Sequence, residues 1–306
     1  MKKIHVVHRR VGGVGHIASL LERSGDEIIP VGIAAVKARV LDNSVQKIFF
    51  HQPRSHLCCL LIALICFGRR QMLCCILHEA SIYNLGATGK TRALLGALTR
   101  LVVVRLCVLL GVEIRAVSAY VARSYGLKFR AISYLYLFSP SLGRLSISAS
   151  KTNCAVVWLR RGTAQKSFRC IEKLYGVGMV SQIVLLGDPV EITVMAREIR
   201  SCPGLAGLPL SAERSGMPEA EFLECLRDSR WFVSFFPREG FGLSVFQAAY
   251  FGCVVLGSWS GAIVEWLPSI NCQITNRLLS KNPDIPLALQ NEAAAINHKF
   301  AIECLR

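Results

Sequence analysis

Two cations spaced five residues apart, Arg161 and Lys166, follow an apolar run that is typical of a β-strand. On a loop that leads from a strand into a helix, such cations can converge on one diphosphate. Each charge-assisted hydrogen bond of that kind contributes roughly 1.5–3 kcal/mol. A solvated basic loop has the same spacing, so the pair by itself leaves both interpretations open.

The segment 231–257 has the pattern of a strand, a loop, a helix and a further strand. Glu239 falls on the loop, and Gly240, Phe241 and Gly242 precede the helix. Backbone N–H groups at a helix N-terminus are suited to binding an anion. Gln247 follows Glu239 by eight residues, about two helical turns, so both side chains can face one ligand.

Two further candidates lie in the first half of the chain. A glycine cluster around Gly13 follows the strand predicted at Lys3–Val7 and precedes a predicted helix, so the backbone there can approach a phosphate. The cluster half-matches a dinucleotide fingerprint, but the acidic residue expected about 20 positions later is absent, which disfavours nicotinamide binding. His78 follows a predicted strand at the sheet's carboxyl edge, where a core role and a catalytic role are equally open.

The elements that must position these residues alternate between strands and helices in each half of the chain. Strands are predicted at Lys3–Val7, 27–33, 72–77, 114–118, 155–159, 183–187, 231–236 and 254–258. A serine-rich stretch at 139–153 interrupts the alternation. The sequence therefore predicts two Rossmann-like α/β domains, 1–145 and 153–306, with a cleft between them that holds the ligand.

Composition limits the classes of partner. The net charge of +16 suits an anion, but the basic residues are scattered in short pairs, which disfavours a nucleic-acid-binding module. The 13 cysteines form no C-x-x-C pair, so we expect buried thiols in a reducing compartment and no structural zinc. The longest apolar stretch, 57–67, is too short to span a bilayer. We therefore predict a cytoplasmic chain that binds peripherally to an anionic membrane surface at the inner face of the plasma membrane.

The motifs together resemble the E-x7-E region of the retaining GT-B glycosyltransferases known as group 1, or family 4. That region usually reads Glu-Gly-Phe-Gly-Leu, then a second Glu followed by Ala, then a glycine before a strand. The positions that fit, in family order over about 11–270, are Gly13, His78, Arg161, Lys166, Glu239, Gly240, Phe241, Gly242, Leu243, Ala248 and Gly252. Gln247 replaces the second glutamate, and the tail 277–306 does not align.

The resemblance implies a GT-B fold and the transfer of a sugar from a nucleotide-diphosphate sugar to an acceptor hydroxyl with retention. It implies a nucleotide-sugar-binding C-terminal domain and an acceptor-side N-terminal domain. Its site residues would be His78 and Glu239 at the donor sugar, and Gly13, Arg161, Lys166, Phe241, Gly242, Leu243 and Gln247 around the rest of the donor. It implies no metal and no cofactor, and the acceptor would be a glycan or lipid-linked intermediate.

Two alternatives stay open at this point. Gln247 and the short tail favour a glycosyltransferase-like partner subunit whose donor site is impaired, because an amide forfeits the charged hydrogen bond of a carboxylate. A sugar-phosphate phosphorylase or an epimerase would use the same fold and phosphate-binding groups.

Overall fold

The structure is a computed structural model that describes residues 2–8, 21–22, 25–51, 53–79, 90–128, 130, 148, 151–237, 240–280 and 283–305. The chain divides into two compact units, 1–139 and 140–306. The predicted bounds of the domains, near 145 and 153, stay a prediction because most of the serine-rich stretch lies outside the described residues.

The first unit contains a five-stranded parallel sheet in the order β2-β1-β3-β4-β5. Its strands are β1 (Lys2–Val7), β2 (Glu27–Pro30), β3 (Val45–Phe50), β4 (Leu73–Leu77) and β5 (Glu113–Ala116). Its described helices are α1 (Ile33–Leu41), α2 (Pro53–Ile65), a 3₁₀ helix (Phe67–Met72), α3 (Lys90–Leu109) and α4 (Ala119–Ser124).

The second unit contains another five-stranded parallel sheet, in the order β10-β9-β6-β7-β8. Its strands are β6 (Thr152–Leu159), β7 (Gln182–Gly187), β8 (Leu210–Arg214), β9 (Ser229–Ser234) and β10 (Val254–Gly257). Its helices include α5 (Ala164–Gly176), α6 (Pro189–Ser201), a 3₁₀ helix (Pro203–Leu205), α7 (Glu219–Asp228), α8 (Leu243–Tyr250), α9 (Ile263–Trp266), α10 (Ile270–Leu278) and α11 (Leu287–Leu305).

Local sequence chemistry explains where several elements begin and pack. The side chain of Asp188 accepts hydrogen bonds from the amides of Val190 and Glu191, and Pro189 occupies the first turn, so α6 begins there. Gly187 ends β7 at a φ of +119°, and a Cβ on it would overlap the carbonyl oxygen of Leu159. Only glycine therefore lets β7 approach β6 this closely.

The predicted fold class is confirmed: each unit is an α/β domain built on a doubly wound parallel sheet. In each sheet the strand order reverses direction at one point, between β1 and β3 in the first unit and between β6 and β9 in the second. Ligands of open α/β sheets bind at such switch points, outside the carboxyl ends of the strands. Several predicted bounds were wrong: the strand expected over 27–33 ends at Pro30, where α1 follows from Ile33, and the strand expected over 231–236 is Ser229–Ser234.

Among the residues that the structure describes, no helix is both long enough and apolar enough to cross a bilayer. The cysteines whose side chains it describes are free thiols, and most of them are buried.

Candidate functional site

In the second unit, the loops that follow β6 and β9 lie side by side at the switch point. The two strands are hydrogen-bonded neighbours, and the guanidinium carbon of Arg160 lies 5.3 Å from the centre of the Phe236 ring. A cation over an aromatic face is an attractive contact, and it holds the two loops together. The predicted donor-binding residues of this unit that the structure describes all lie on these loops or in the first two turns of the following helices.

Arg161 and Lys166 occupy the loop after β6 and the first turn of α5, and both side chains are exposed. The chain reverses at Gly162, whose φ is +79°. The hydroxyl of Thr163 donates to the carbonyl oxygen of Arg160 at 2.6 Å and accepts from its amide at 2.9 Å. The Thr163 hydroxyl thus fixes the loop, and the two cations are exposed at the sheet's carboxyl edge.

A carboxylate that the sequence analysis missed occupies the N-terminus of α5. The two oxygens of Glu191, on α6, accept from the amides of Gly162 at 2.7 Å, Thr163 at 3.0 Å and Ala164 at 2.9 Å. These are donors that a helix leaves without an intrahelical partner. Because these amides already donate to Glu191, the groups that the sequence predicts to bind an anion on this loop are the side chains of Arg161 and Lys166. No local pattern signals the contact, since Glu191 comes from the next helix along the chain.

The loop after β9 leads into α8 through Gly242, which adopts a φ of +83° and a ψ of 55°. A Cβ at this position would crowd Ile263 as well as strain the backbone, so the motif requires glycine here. The preceding Phe241 is buried and stacks against Phe246 and Trp266, with ring centres 5.7 and 5.6 Å apart. The indole N–H of Trp266 also donates to the carbonyl oxygen of Phe241 at 2.9 Å.

The same loop is supported from β10. The hydroxyl of Ser258 donates to the carbonyl oxygen of Phe235 at 2.9 Å, and that of Ser260 donates to the carbonyl oxygen of Pro237 at 2.6 Å. The chain on either side of Glu239 is thus held by packing and by hydrogen bonds. Glu239 itself lies outside the described residues, as does Gly13.

Leu243 and Gln247 lie four residues apart on α8, so they share one face of that helix. Leu243 is half-buried, whereas Gln247 is only 4% exposed. A neutral amide tolerates such burial far better than a carboxylate, which pays a desolvation penalty without a charged partner. The replacement of the second glutamate by Gln247 is consistent with this burial.

His78 lies in the other unit, immediately after β4, and is one end of a chain of hydrogen bonds. Its Nε2 lies 3.0 Å from Nδ1 of His51, and Nε2 of His51 lies 2.7 Å from Nδ1 of His5. Nε2 of His5 lies 3.2 Å from Oδ2 of Asp26. Neither His5 nor His51 was predicted; His5 interrupts the apolar run 4–7 and His51 follows the apolar run 48–50, which was the signal available.

Burial keeps the imidazole rings of His5, His51 and His78 neutral. It lowers the pKa of His78 to about 3 and that of His5 to about 4, although the neighbouring Asp26 raises the latter in part. Burial lowers the pKa of His51 well below its usual value, and the adjacent histidines add to the effect.

Because each neutral ring has one donor and one acceptor nitrogen, the direction of every hydrogen bond in this series is fixed. An ionised carboxylate only accepts, so His5 donates from Nε2 to Asp26 and accepts at Nδ1. His51 must then donate from Nε2 to His5 and accept at Nδ1, and His78 must donate from Nε2 to His51. Nδ1 of His78 is left as a hydrogen-bond acceptor, which suits a sugar hydroxyl and does not suit a phosphate oxygen.

The described residues also bring together three thiols, those of Cys59, Cys75 and Cys107, with their sulfur atoms within 4.8 Å of one another. All three are buried in the apolar core between α2, α3 and β4. A soft metal ion would find three ligands there, but the cluster lies inside the core and not at the carboxyl edge of the sheet. It offers nothing to the predicted site.

Comparison with known proteins places this geometry in a structural class. No family model matches the chain, and no curated protein matches it in sequence. Among solved structures it is similar to Anabaena Alr3699/HepE in complex with UDP and glucose, with a TM-score of 0.63, 13% identity, and coverage of 100% of this chain and 97% of that one.

Two further solved structures align over nearly their whole length. One is the sucrose-phosphate synthase from Thermosynechococcus elongatus, with a TM-score of 0.63, 14% identity and coverage of 100% and 95%. The other is a glycosyltransferase from Rickettsia africae, with a TM-score of 0.61, 12% identity and coverage of 99% and 94%. The chain has the GT-B fold.

Proposed function

We propose that the chain is a glycosyltransferase that moves a sugar from a nucleotide-diphosphate sugar to an acceptor hydroxyl with retention of configuration. The observation that carries the proposal is the pairing of the two loops at the switch point of the second unit, with Arg161 and Lys166 on one and the Gly242 turn into α8 on the other. The similarity to a protein solved with UDP and glucose supports a nucleotide-sugar donor.

In the proposed reaction, the bond between the anomeric carbon and the diphosphate oxygen breaks, and the acceptor oxygen bonds to the same face of that carbon. The acceptor proton passes to the departing diphosphate. Negative charge grows on the leaving group, so preorganised cations stabilise the transition state more than the ground state. Arg161 and Lys166 would supply those cations, with the amides of Gly242 and Leu243 beside them.

The remaining residues would bind the sugar and the nucleoside. Glu239 would accept hydrogen bonds from donor sugar hydroxyls, and Gln247 would contact the ribose through its amide. Gly13 would let the backbone of the first unit approach the diphosphate. His78 would accept a hydrogen bond from a sugar hydroxyl at Nδ1. Because cations of the chain itself neutralise the diphosphate, the proposed reaction needs neither a metal ion nor a cofactor.

We further propose that the acceptor is a glycan or lipid-linked intermediate in surface polysaccharide or glycolipid assembly. The chain would then work in the cytoplasm at the inner face of the plasma membrane. The net charge of +16 supports an anionic surface as partner.

The burial of Gln247 favours one alternative, a glycosyltransferase-like partner subunit whose donor site is impaired. A panel of nucleotide-diphosphate sugars, assayed for nucleotide release and by calorimetry with UDP and GDP, separates the two. Donor-specific release supports the transferase. The absence of both nucleotide binding and donor-specific release supports the partner subunit.

A further inference from the structure

The outer faces of α2, of the 3₁₀ helix that follows it and of α3 expose many large apolar side chains. Exposed fractions range from 37% at Leu61 to 80% at Leu109. Helices α2 and α3 pack against each other on the same side of the first sheet. We define the apolar face as Leu57, Leu61, Leu64, Ile65, Phe67, Leu94, Leu95, Leu98, Val102, Leu106 and Leu109.

These exposed side chains are not needed for the core of the unit. The opposite sides of the same helices already bury Cys59, Ile62, Val103 and Cys107 against the sheet. A helix that only covers a sheet carries polar residues on its outer side, whereas α2 and α3 are apolar on both sides. Proteins rarely expose apolar patches larger than a few hundred Å², and larger ones mark an interaction site.

The stretches of sequence that carry the apolar face have charges of one sign, apart from the glutamate between them. Residues 43–78 and 80–112 contain neither aspartate nor glutamate, although the three helices of this region carry several basic residues. Those whose side chains the structure describes are Arg54, Arg69, Arg70, Arg100 and Arg105. Glu79, the acidic residue between the two stretches, pairs with Arg100 at 3.7 Å.

We propose that the apolar face is a docking surface for an anionic lipid leaflet, with its leucines in the boundary between headgroups and acyl chains. Apolar side chains bordered by cations match that boundary, because acyl chains receive the leucines while anionic headgroups attract the arginines. A second copy of the chain fits less well. A symmetric dimer through this face would bring like charges together without a compensating carboxylate.

This docking goes beyond the proposed glycosyl transfer and does not depend on it. Vesicle binding is measured without donor or acceptor, so a failure of transfer leaves it standing. Conversely, sugar transfer to a water-soluble acceptor together with no binding to vesicles would overturn the docking proposal and leave the proposed transfer intact.

The test is co-sedimentation of the full chain with vesicles of phosphatidylcholine, alone or with phosphatidylglycerol. The variant Leu98→Ser/Val102→Ser removes two neighbours from the apolar face. Its matched control, Val190→Ser/Val264→Ser, removes two exposed valines from the second unit, which are 67% and 52% exposed. We expect the first variant to bind anionic vesicles at least tenfold more weakly and the control to bind as the parent chain does.

A second pair of variants tests the charges. Arg54→Gln/Arg69→Gln should weaken binding to anionic vesicles severalfold and make it less sensitive to salt, whereas Arg169→Gln on α5 should change neither. Circular dichroism checks that each variant is folded. Three results would each overturn the proposal: no binding by the parent chain, equal binding to neutral and anionic vesicles, or light scattering that shows a dimer which Leu98→Ser/Val102→Ser dissociates.

Discussion

Nδ1 of His51 accepts a hydrogen bond from Nε2 of His78 at 3.0 Å, and a carboxylate two imidazoles away fixes the direction of that bond. Asp26 can only accept while ionised, and each neutral ring passes this constraint to the next. Asp26 therefore acts on the predicted site without touching it. It is a positioning residue, whereas His78 is the one that would contact a ligand.

Replacing Asp26 by Ala should remove the constraint and let His78 populate both tautomers. The ¹⁵N shifts of the His78 ring measure this directly, and the parent chain should show a protonated Nε2 with a bare Nδ1. We expect kcat/KM to fall by about fivefold, since one hydrogen bond contributes about 1 kcal/mol. Asp42→Ala is the control, because Asp42 belongs to the same unit but bonds only locally, to Ser44. A parent His78 protonated at Nδ1 would contradict the assignment.

The buried histidines should make the first unit sensitive to mild acid. Each has a pKa of about 6.5 when unfolded, against about 4 for His5 and about 3 for His78 in the folded chain. Between pH 6.5 and pH 5 the unfolded chain therefore binds more protons than the folded chain, so stability is present above pH 6.5 and is lost as the pH falls. Carboxyl groups contribute mainly below that window, because their unfolded pKa values are near 4.

The arrangement of tryptophans separates the two units in such an experiment. All four tryptophans lie in the second unit, and six of the seven histidines lie in the first. In urea titrations, circular dichroism reports the unfolding of both units, whereas tryptophan fluorescence reports that of the second. The transition that only circular dichroism detects should occur at a lower urea concentration at pH 5 than at pH 7. The fluorescence transition should move less. His51→Phe should reduce the shift, and an equal shift in both signals would contradict the assignment to these histidines.

The capping of α5 by Glu191 predicts an effect on stability. Glu191→Ala leaves three amides without their carboxylate, and we expect the second unit to lose about 1–3 kcal/mol of unfolding free energy. Glu172→Ala, which removes an exposed glutamate from α5 itself, is the control and should change the free energy by a few tenths. Tryptophan fluorescence during urea unfolding measures both, and equal stability of the two variants would show that the cap is dispensable.

Strands that are buried on both faces could be predicted from the sequence. The apolar runs of β4, β6, β7 and β9 identify them without ambiguity. Strands β3 and β8 were not predicted from the sequence. Strand β8, Leu210–Arg214, lies at the edge of its sheet and alternates apolar with polar residues over only its first four positions, which a loop can match.

The site was predictable only where chemistry is local. The Gly242 turn and the cations at 161 and 166 belong to short motifs of residues close in sequence, so they can be recognised from the sequence. Glu191 reaches its amides across nearly 30 residues, and Asp26 acts on His78 across 52, through contacts that only the packed sheet creates. A motif search cannot find such partners, because neither residue has a fixed spacing from the group on which it acts.

The two cations after β6 carry a prediction for the reaction itself. If Arg161 and Lys166 converge on the leaving diphosphate, replacing either by Ala should cost about 2–4 kcal/mol of transition-state stabilisation, or ~10²–10³ in rate. Arg169→Ala, an exposed cation further along α5, should keep full activity. Added EDTA should also leave the rate unchanged. Full activity in both Arg161→Ala and Lys166→Ala would remove them from the mechanism, and loss of activity in EDTA would restore a metal to it.

The departure from the family signature at Gln247 gives the sharpest separation of enzyme from impaired subunit. Glu239→Gln should cut turnover steeply and leave nucleotide diphosphate binding largely intact, because a carboxylate can accept two sugar hydroxyls while the diphosphate is held elsewhere. Gln247→Glu should keep turnover similar and raise donor affinity by ~1 kcal/mol, since the ribose gains a charged partner.

The burial of Gln247 adds a condition that the motif alone does not contain. A glutamate at a position 4% exposed is desolvated, so Gln247→Glu should lower the melting temperature of the free chain and recover part of it when UDP is added. Ala248→Ser is the control, since it changes a neighbouring buried position on α8 without adding charge. Calorimetry and thermal melts with and without UDP measure the effect. An impaired subunit predicts no turnover in any variant and no recovery by nucleotide, and full activity in Glu239→Gln would show that the site has been misplaced.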